Sequence, residues 1–268
     1  MRILQTGRDL LRPDPDKPGR GLLALGGIDF GSAATAPGRT ESVYLAAGTA
    51  DLSAAITRAA ESFGRFGPLP ASGEEASQLK DWYLRYRKDE PAEVWAGSTA
   101  SEGRLKALAT PPRVLHLATH GFYLPGSAPE PMLLSGITLA GANRALAKKE
   151  DDGILFGLEA QGLNLDGSEL VVLSACDTAK GSLDYSEGVY GLVRAFRTAG
   201  ARNVLVTLWP LNDGEARDFM VGFYKRWLAQ PGRSDPGKAL RETRLRYINS
   251  PDPALRDPRV WAPYVLVE

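Results

Sequence analysis

Two short apolar runs constrain this chain more than anything else in it. Arg113-Val114-Leu115-His116-Leu117-Ala118-Thr119-His120-Gly121 and Glu169-Leu170-Val171-Val172-Leu173-Ser174-Ala175-Cys176-Asp177-Thr178-Ala179-Lys180-Gly181 each stop abruptly at small or polar residues. An uninterrupted apolar run of this length fits a strand covered on both faces, as in parallel sheets whose crossover helices bury them. Open α/β sheets bind ligands outside the carboxyl ends of their strands. Here those ends carry an imidazole, His120, and the thiol of Cys176.

The rest of the sequence supplies elements for such a sheet. Gly21 to Gly27 and Ala92 to Gly97 read as further strands, and Asn203 to Leu208 as another. Between Gly73 and Arg87, the residues Leu79, Trp82, Tyr83 and Tyr86 fall at helical spacing, with Glu74 and Glu75 suited to a helix N-terminus. Ser98 to Leu108 is expected to be a short helix. Val189, Leu192, Val193 and Phe196 mark a helix that Gly200 closes; Asn212, with Glu215 three residues on, caps another whose Phe219, Met220, Phe223 and Trp227 face the core. Alternation of strand and helix favours a doubly wound parallel sheet with right-handed crossovers. Gly31 to Gly38 reads as a loop. Gly141 to Gly153, with Lys148-Lys149-Glu150-Asp151-Asp152, reads as an exposed loop, and its lysine pair is a candidate processing or regulatory site.

Composition removes several classes of function. Lys plus Arg and Asp plus Glu balance at 32 each, so no global basic field gathers a nucleic acid. One cysteine cannot close an internal disulfide, and two histidines are too few for a Cys/His zinc cluster, so neither metal nor other cofactor is expected. His116 and His120 are four apart, as in zinc metalloproteases, but no glutamate follows His116 and the context is a strand; His116 is expected to be structural. There is neither an apolar stretch that suits a membrane span nor a secretory signal, and a cytoplasmic location is expected. The proline-rich segment Arg12 to Pro18 makes residues 1–20 a linker or clipped end ahead of one domain over 21–268, with an N-terminal half at 21–112 and a catalytic half at 113–268.

The two strand ends suggest a reaction. A thiolate attacks an acyl carbon far better than a thiol, and an imidazole beside it supplies the base near neutral pH. The small Gly121 leaves room for a carbonyl oxygen to meet backbone donors, so the N–H groups of Gly121 and Cys176 are candidates for an oxyanion hole. Taken singly, Cys176 reads as a small buried hydrophobe and His120 as a satisfied core histidine; the order, the glycine and the strand-end positions together favour a catalytic pair. Caspases place their cysteine about 50 residues after their histidine, and here the order is the same with Cys176 following His120. A papain-like order is excluded, because no histidine follows Cys176.

At His116-Leu117-Ala118-Thr119-His120-Gly121, Leu173-Ser174-Ala175-Cys176-Asp177-Thr178-Ala179 and Glu187-Gly188-Val189-Tyr190-Gly191-Leu192-Val193-Arg194-Ala195-Phe196 the chain resembles the CHAT domain, the caspase-like, separase-related cysteine peptidases of bacteria. The resemblance runs on through Leu208-Trp209-Pro210-Leu211-Asn212-Asp213 and Phe223-Tyr224 to Trp261-Ala262-Pro263-Tyr264-Val265-Leu266. It implies a caspase-like α/β sandwich, a mostly parallel sheet with helices on both faces, in which Cys176 is the nucleophile and His120 its base and acid. It implies that a substrate lines a strand near Leu134 to Leu139, and that an upstream helical-repeat region or a partner protein regulates the domain. The substrate is then a protein or peptide.

Separases, similar around Leu208-Trp209, cut after arginine, and an acid after that tryptophan faces the pocket; Asp213 is the matching residue, although beside Asn212 it could equally serve as a helix cap. Asp177, Asp184 and Glu187 are further acids that could bind substrate, each also readable as a loop or helix-start residue. Ser174 departs from metacaspases, which carry an acid there. Trp209 and Trp261 are expected in the core rather than as a substrate platform. Two other classes stay open: a catalytically silent or latent scaffold, and another cysteine-dependent acyl transferase such as an amidase or transpeptidase.

Overall fold

The computed structural model describes residues 17–31, 49–124, 131–148, 153–174, 185–230 and 235–268. Nine strands occur among them: β1 (Leu22–Ile28), β2 (Ala92–Gly97), β3 (Val114–Ala118), β4 (Gly121–Tyr123), β5 (Ser135–Thr138), β6 (Ile154–Phe156), β7 (Leu170–Ser174), β8 (Asn203–Thr207) and β9 (Tyr264–Val267). Six of them form one sheet in the order β2-β1-β3-β7-β8-β9, parallel except for β9 at the edge. The longer helices are α1 (Thr49–Phe63), α2 (Pro70–Tyr86), α6 (Tyr185–Thr198), α7 (Asp213–Leu228) and α8 (Pro236–Ile248). Shorter ones are α3 (Glu102–Lys106), α4 (Ala142–Lys148), α5 (Gly157–Ala160), α9 (Pro253–Arg256) and α10 (Pro258–Trp261).

The strand period of two splits the core into two layers. Leu23, Leu25, Leu115, Leu117, Val171, Leu173, Val204 and Val206 point to one face, where α1, α4, α5 and α6 supply Ile56, Leu146, Ala160 and Phe196. Leu22, Ala24, Val114, Leu170, Val172 and Leu205 point to the other, covered by Leu79 and Tyr83 of α2, Phe219, Phe223 and Trp227 of α7, and Leu240 of α8. The molecule is therefore a three-layer α/β sandwich with helices on both faces of a mostly parallel sheet, as expected. Strands of both halves, β1 beside β3, share that sheet.

Three expectations change. Residues 142–148 form helix α4 instead of a loop, because Ala142, Ala145 and Leu146 repeat at helical spacing and are buried; Lys149 and the acids after it lie outside the described residues. β5 is not open to a substrate strand: it is the middle of a small antiparallel sheet, with β4 on one edge and β6 on the other, and all four of its residues are buried. Helix α2 starts at Pro70, ahead of Gly73, and α3 is only five residues long, capped by Ser101, whose side chain accepts from Arg104 N.

Two helices meet the sheet where the apolar runs end. Gly26 of β1 lets the first turn of α2 come so close that a Cβ there would lie 2.2 Å from Ser72 O, and Gly27 N donates to Ser72 Oγ at 2.9 Å. Helix α7 lies beside α2 in the same direction, with Asp213 touching Ala71, Arg217 touching Glu74 and Lys225 over the Trp82 ring. Asn212 caps α7 through a 2.9 Å bond from Gly214 N, as its sequence predicts. The N-termini of α2 and α7 thus stand together at the carboxyl ends of β3, β7 and β8.

Candidate functional site

His120 lies two residues past the end of β3, at 2% exposure. Its Nε2 is 2.7 Å from the carbonyl oxygen of Gly67, in the segment between α1 and α2. A carbonyl only accepts, so Nε2 carries a proton and donates it, which leaves Nδ1 as the ring nitrogen turned away from Gly67. The rings of Phe30 and Phe66 stand 5.0 and 5.4 Å from the imidazole and hold it in place by packing. Phe66 is itself pinned through both backbone groups to Asn143 of α4, at 2.8 and 3.0 Å. No sequence motif marked Gly67, Phe66 or Phe30; a backbone carbonyl has no residue-type signature.

Gly121 opens β4. The carbonyl of His120 accepts from Thr138 N at 2.9 Å and that of Leu134 from Leu124 N at 2.6 Å. In an antiparallel ladder hydrogen-bonded and non-hydrogen-bonded pairs alternate, so Gly121 faces Ile137 as a non-hydrogen-bonded pair and its N–H points away from β5. A donor directed off the ladder beside the imidazole is what oxyanion stabilisation requires.

A cleft runs from His120 to the two helix N-termini, lined by Leu69, Ser72, Glu75, Thr119, Ser174, Thr207, Leu211, Asp213 and Ala216. Asp213 is not the cap of α7, a role Asn212 takes. It sits in the helix's first turn, and its Oδ2 accepts from Ala71 N in the first turn of α2 at 2.6 Å. The carboxylate is thus placed at two helix N-termini at once, where it meets a backbone donor of the neighbouring helix.

Glu75, read as one of two acids suited to a helix N-terminus, is 1% exposed, with Oε1 2.7 Å from Nε2 of His116. It belongs to the buried stripe Ser72, Glu75, Ala76, Leu79, Tyr83, so helical spacing from Leu79 and Tyr83 held the signal. His116 is fully buried in the middle of β3, with Nδ1 3.2 Å from the Tyr224 hydroxyl. Its expected structural role fits that position, and no group of metal-binding side chains occurs among the described residues. Burial pushes the Tyr224 hydroxyl well above the ordinary tyrosine range, and the charge of Glu75 adds to the effect.

Cys176, Asp177 and Asp184 lie outside the described residues. Glu187 falls on α6, and its side chain lies outside them too. Ser174, the last residue of β7, lines the cleft with His120. Trp209 is half-buried rather than core, because its indole N–H is held at the surface by Arg259 O at 3.1 Å. Trp261 packs half-buried on the α2/α7/α8 layer.

The CHAT domain family model matches residues 3–268. The chain is 25% identical over 225 residues to tetratricopeptide repeat protein 28 of Homo sapiens and 24% identical over 226 residues to that of Mus musculus, each match covering 75% of this chain. It spans only 8% and 9% of the length of those two relatives. With the family match running from one end of the sandwich to the other, the chain belongs to the CHAT domain family, a caspase-like group related to peptidases.

Proposed function

We propose that this chain is a cysteine endopeptidase that uses Cys176 and His120 as a catalytic dyad. The observation that carries the reading is the register of the two central strands. Every β3 residue faces the β7 residue 56 positions later, as Val114 faces Leu170 and Ala118 faces Ser174, and 56 is also the spacing from His120 to Cys176. Strands that leave the sheet in step deliver a base and a nucleophile to the same place.

In this mechanism Nδ1 of His120 takes the Cys176 proton and the thiolate sulfur bonds to the scissile carbonyl carbon. The oxygen, now negative, is held by the N–H groups of Gly121 and Cys176. Collapse breaks the C–N bond, the imidazolium gives its proton to the leaving amine, and a thioester remains. His120 then takes a proton from water, the hydroxide displaces the sulfur, and the thiol is restored. The Gly67 carbonyl fills the orienting place that a third side chain holds in other triads, fixing tautomer and ring angle. No cofactor or metal enters the cycle.

Asp213, which lines the same cleft, is proposed to recognise a basic P1 side chain, with Asp177 and Glu187 as additional acids. The domain limits, 21–268 after a linker of 1–20, and a cytoplasmic setting belong to the same proposal; no described helix is long and apolar enough to cross a membrane. The matched relatives are named for tetratricopeptide repeats, which are helical pairs, and this supports an upstream helical-repeat region or partner as the regulator. The deep burial of His120 favours a second reading, a latent scaffold whose site opens only when such a partner binds.

Intact-mass labelling tests both, using peptidyl acyloxymethyl ketones with Arg, Lys, Asp or Leu at P1 on the wild type and His120→Ala. Stoichiometric labelling of Cys176 that is lost in His120→Ala, and fastest for Arg or Lys, is expected of the peptidase. Absence of labelling in the wild type favours the scaffold; labelling that ignores His120 removes the dyad.

A further inference from the structure

The imidazole of His120 is oriented by a backbone carbonyl, and a carbonyl orients a ring only as firmly as its own backbone is held. Gly67 is exposed, and a Cβ built on it would meet nothing within 4 Å. The segment that carries it, residues 64–69, also contains Gly64 at φ +64°, and glycine is the residue freest to turn. The two ends of the segment are tied to the helices they join: Gly64 N to Ala60 O at 3.0 Å and Arg65 N to Phe63 O at 2.6 Å on the α1 side, and Ser72 N to Leu69 O at 3.2 Å on the α2 side. Pro68 steers Gly67 away from helical backbone. It does not set the plane of the peptide between Phe66 and Gly67.

Asn143, in the first turn of α4, sets that plane. Its Oδ1 accepts from Phe66 N at 2.8 Å and its Nδ2 donates to Phe66 O at 3.0 Å. An N–H only donates and a carbonyl only accepts, so the two bonds also fix which way the carboxamide is turned. The pair imitates one rung of an antiparallel ladder, in which two residues exchange both bonds. The main chain of Asn143 holds a second neighbour of the imidazole: Asn143 N donates to Phe30 O at 2.8 Å, and Gly141 N to Asp29 O at 3.2 Å. The two phenylalanines whose rings pack on His120 are thus both anchored to Asn143, Phe30 through the helix backbone and Phe66 through the side chain.

We infer that Asn143 is a positioning residue for His120: its side chain holds the Phe66–Gly67 peptide at the angle that lets the Gly67 carbonyl accept from Nε2. Aspartate at this place keeps the acceptor for Phe66 N and lacks the donor for Phe66 O. Alanine lacks both and leaves the backbone bond to Phe30 intact. The consequence for catalysis rests on the reading of Cys176 and His120 as a dyad, so the test follows the ring and the reaction separately.

The ring is followed by nitrogen NMR of chains carrying isotope-labelled histidine in the Cys176→Ala background, at about pH 9, where an ordinary imidazole is neutral. The chain has two histidines, and the signals lost in His120→Ala assign both. His120 is expected to be wholly the Nε2–H tautomer in the parent and a mixture of the two tautomers in Asn143→Ala, with Asn143→Asp between them; His116, in the middle of β3, is expected to keep its shifts. The reaction is followed with a peptidyl acyloxymethyl ketone on chains that retain Cys176. Its maximal labelling rate is expected to fall on the order of tenfold to a hundredfold in Asn143→Ala and less in Asn143→Asp, with the half-saturating concentration unchanged. Should Asn143→Ala not fold, Asn143→Asp carries both readings, its tautomer shifted and its rate lowered. The inference is overturned if folded variants keep the parent tautomer, if His116 moves as far as His120, as a general loosening would make it, or if chains that label do so at the parent rate. A parent that resists labelling, while its Asn143→Ala variant still shifts the tautomer, supports the positioning and overturns the dyad alone.

Discussion

At the scale of single residues, two histidines of similar sequence setting have opposite duties. His116, mid-strand, closes a buried chain from Tyr224 to Glu75, whereas His120, just beyond the strand, lines a cleft with its Nε2 tied to the Gly67 carbonyl. Truncating the first strands a buried carboxylate and opens a cavity, so His116→Ala is expected to destabilise the fold by about 3 kcal/mol or more, read from urea denaturation. The same variant leaves the Gly67 contact of His120 in place. What the sequence disclosed here was chemistry by residue type: an imidazole and a thiol at strand ends are visible to inspection. A carbonyl that orients the imidazole and an acid whose partner lies 41 residues away are products of packing, and no local pattern announces either.

At the scale of elements, the central strands were legible because burial on both faces leaves a mostly apolar run, as in β7 and β8, and the edge strand β2 because its short run ends at Gly97. β2 has the bounds its composition suggests, and β3, β7 and β8 lie within theirs. Helix α4 was hidden by the charges that follow it, since Ala142, Ala145 and Leu146 form too short a stripe to outweigh them. β5 has the apolar look of a strand, but pairing on both edges is a property of its neighbours and not of its residues. The contact of β1 with α2 is the joint that sets the cleft wall. A methyl group at Gly26 meets a backbone oxygen that cannot rotate away, so Gly26→Ala is expected to cost about 3 kcal/mol in a urea titration and to shift Ser72 and Glu75 relative to His120. Slower P1-Arg labelling in whatever fraction stays folded is the accompanying readout.

Across the whole molecule, a network at the opposite end of the sheet from the cleft ties β1, α2 and β3 together. Glu90 accepts from Tyr83 at 2.6 Å and from Gly21 N at 2.8 Å and pairs with Arg113 at 3.0 Å. Burial alone would raise its carboxyl, but the hydrogen bonds from Tyr83 and Gly21 and the Arg113 charge outweigh it and hold Glu90 below the usual carboxylate range. The unfolded chain then takes up the proton first as pH falls, so the stabilisation is present above the ordinary glutamate value and is lost as pH drops through the lowered one. Glu90→Gln is expected to be less stable at pH 7 and to show a shallower loss between about pH 5 and pH 3, read from urea midpoints across that range.

The parallel course of α2 and α7 has its own consequence. Neighbouring helices that run antiparallel cancel one another's fields, while these two add, and both positive poles end at the cleft. The partial positive charge of both N-termini therefore falls on the same side of the cleft, where Asp213 accepts from Ala71 N.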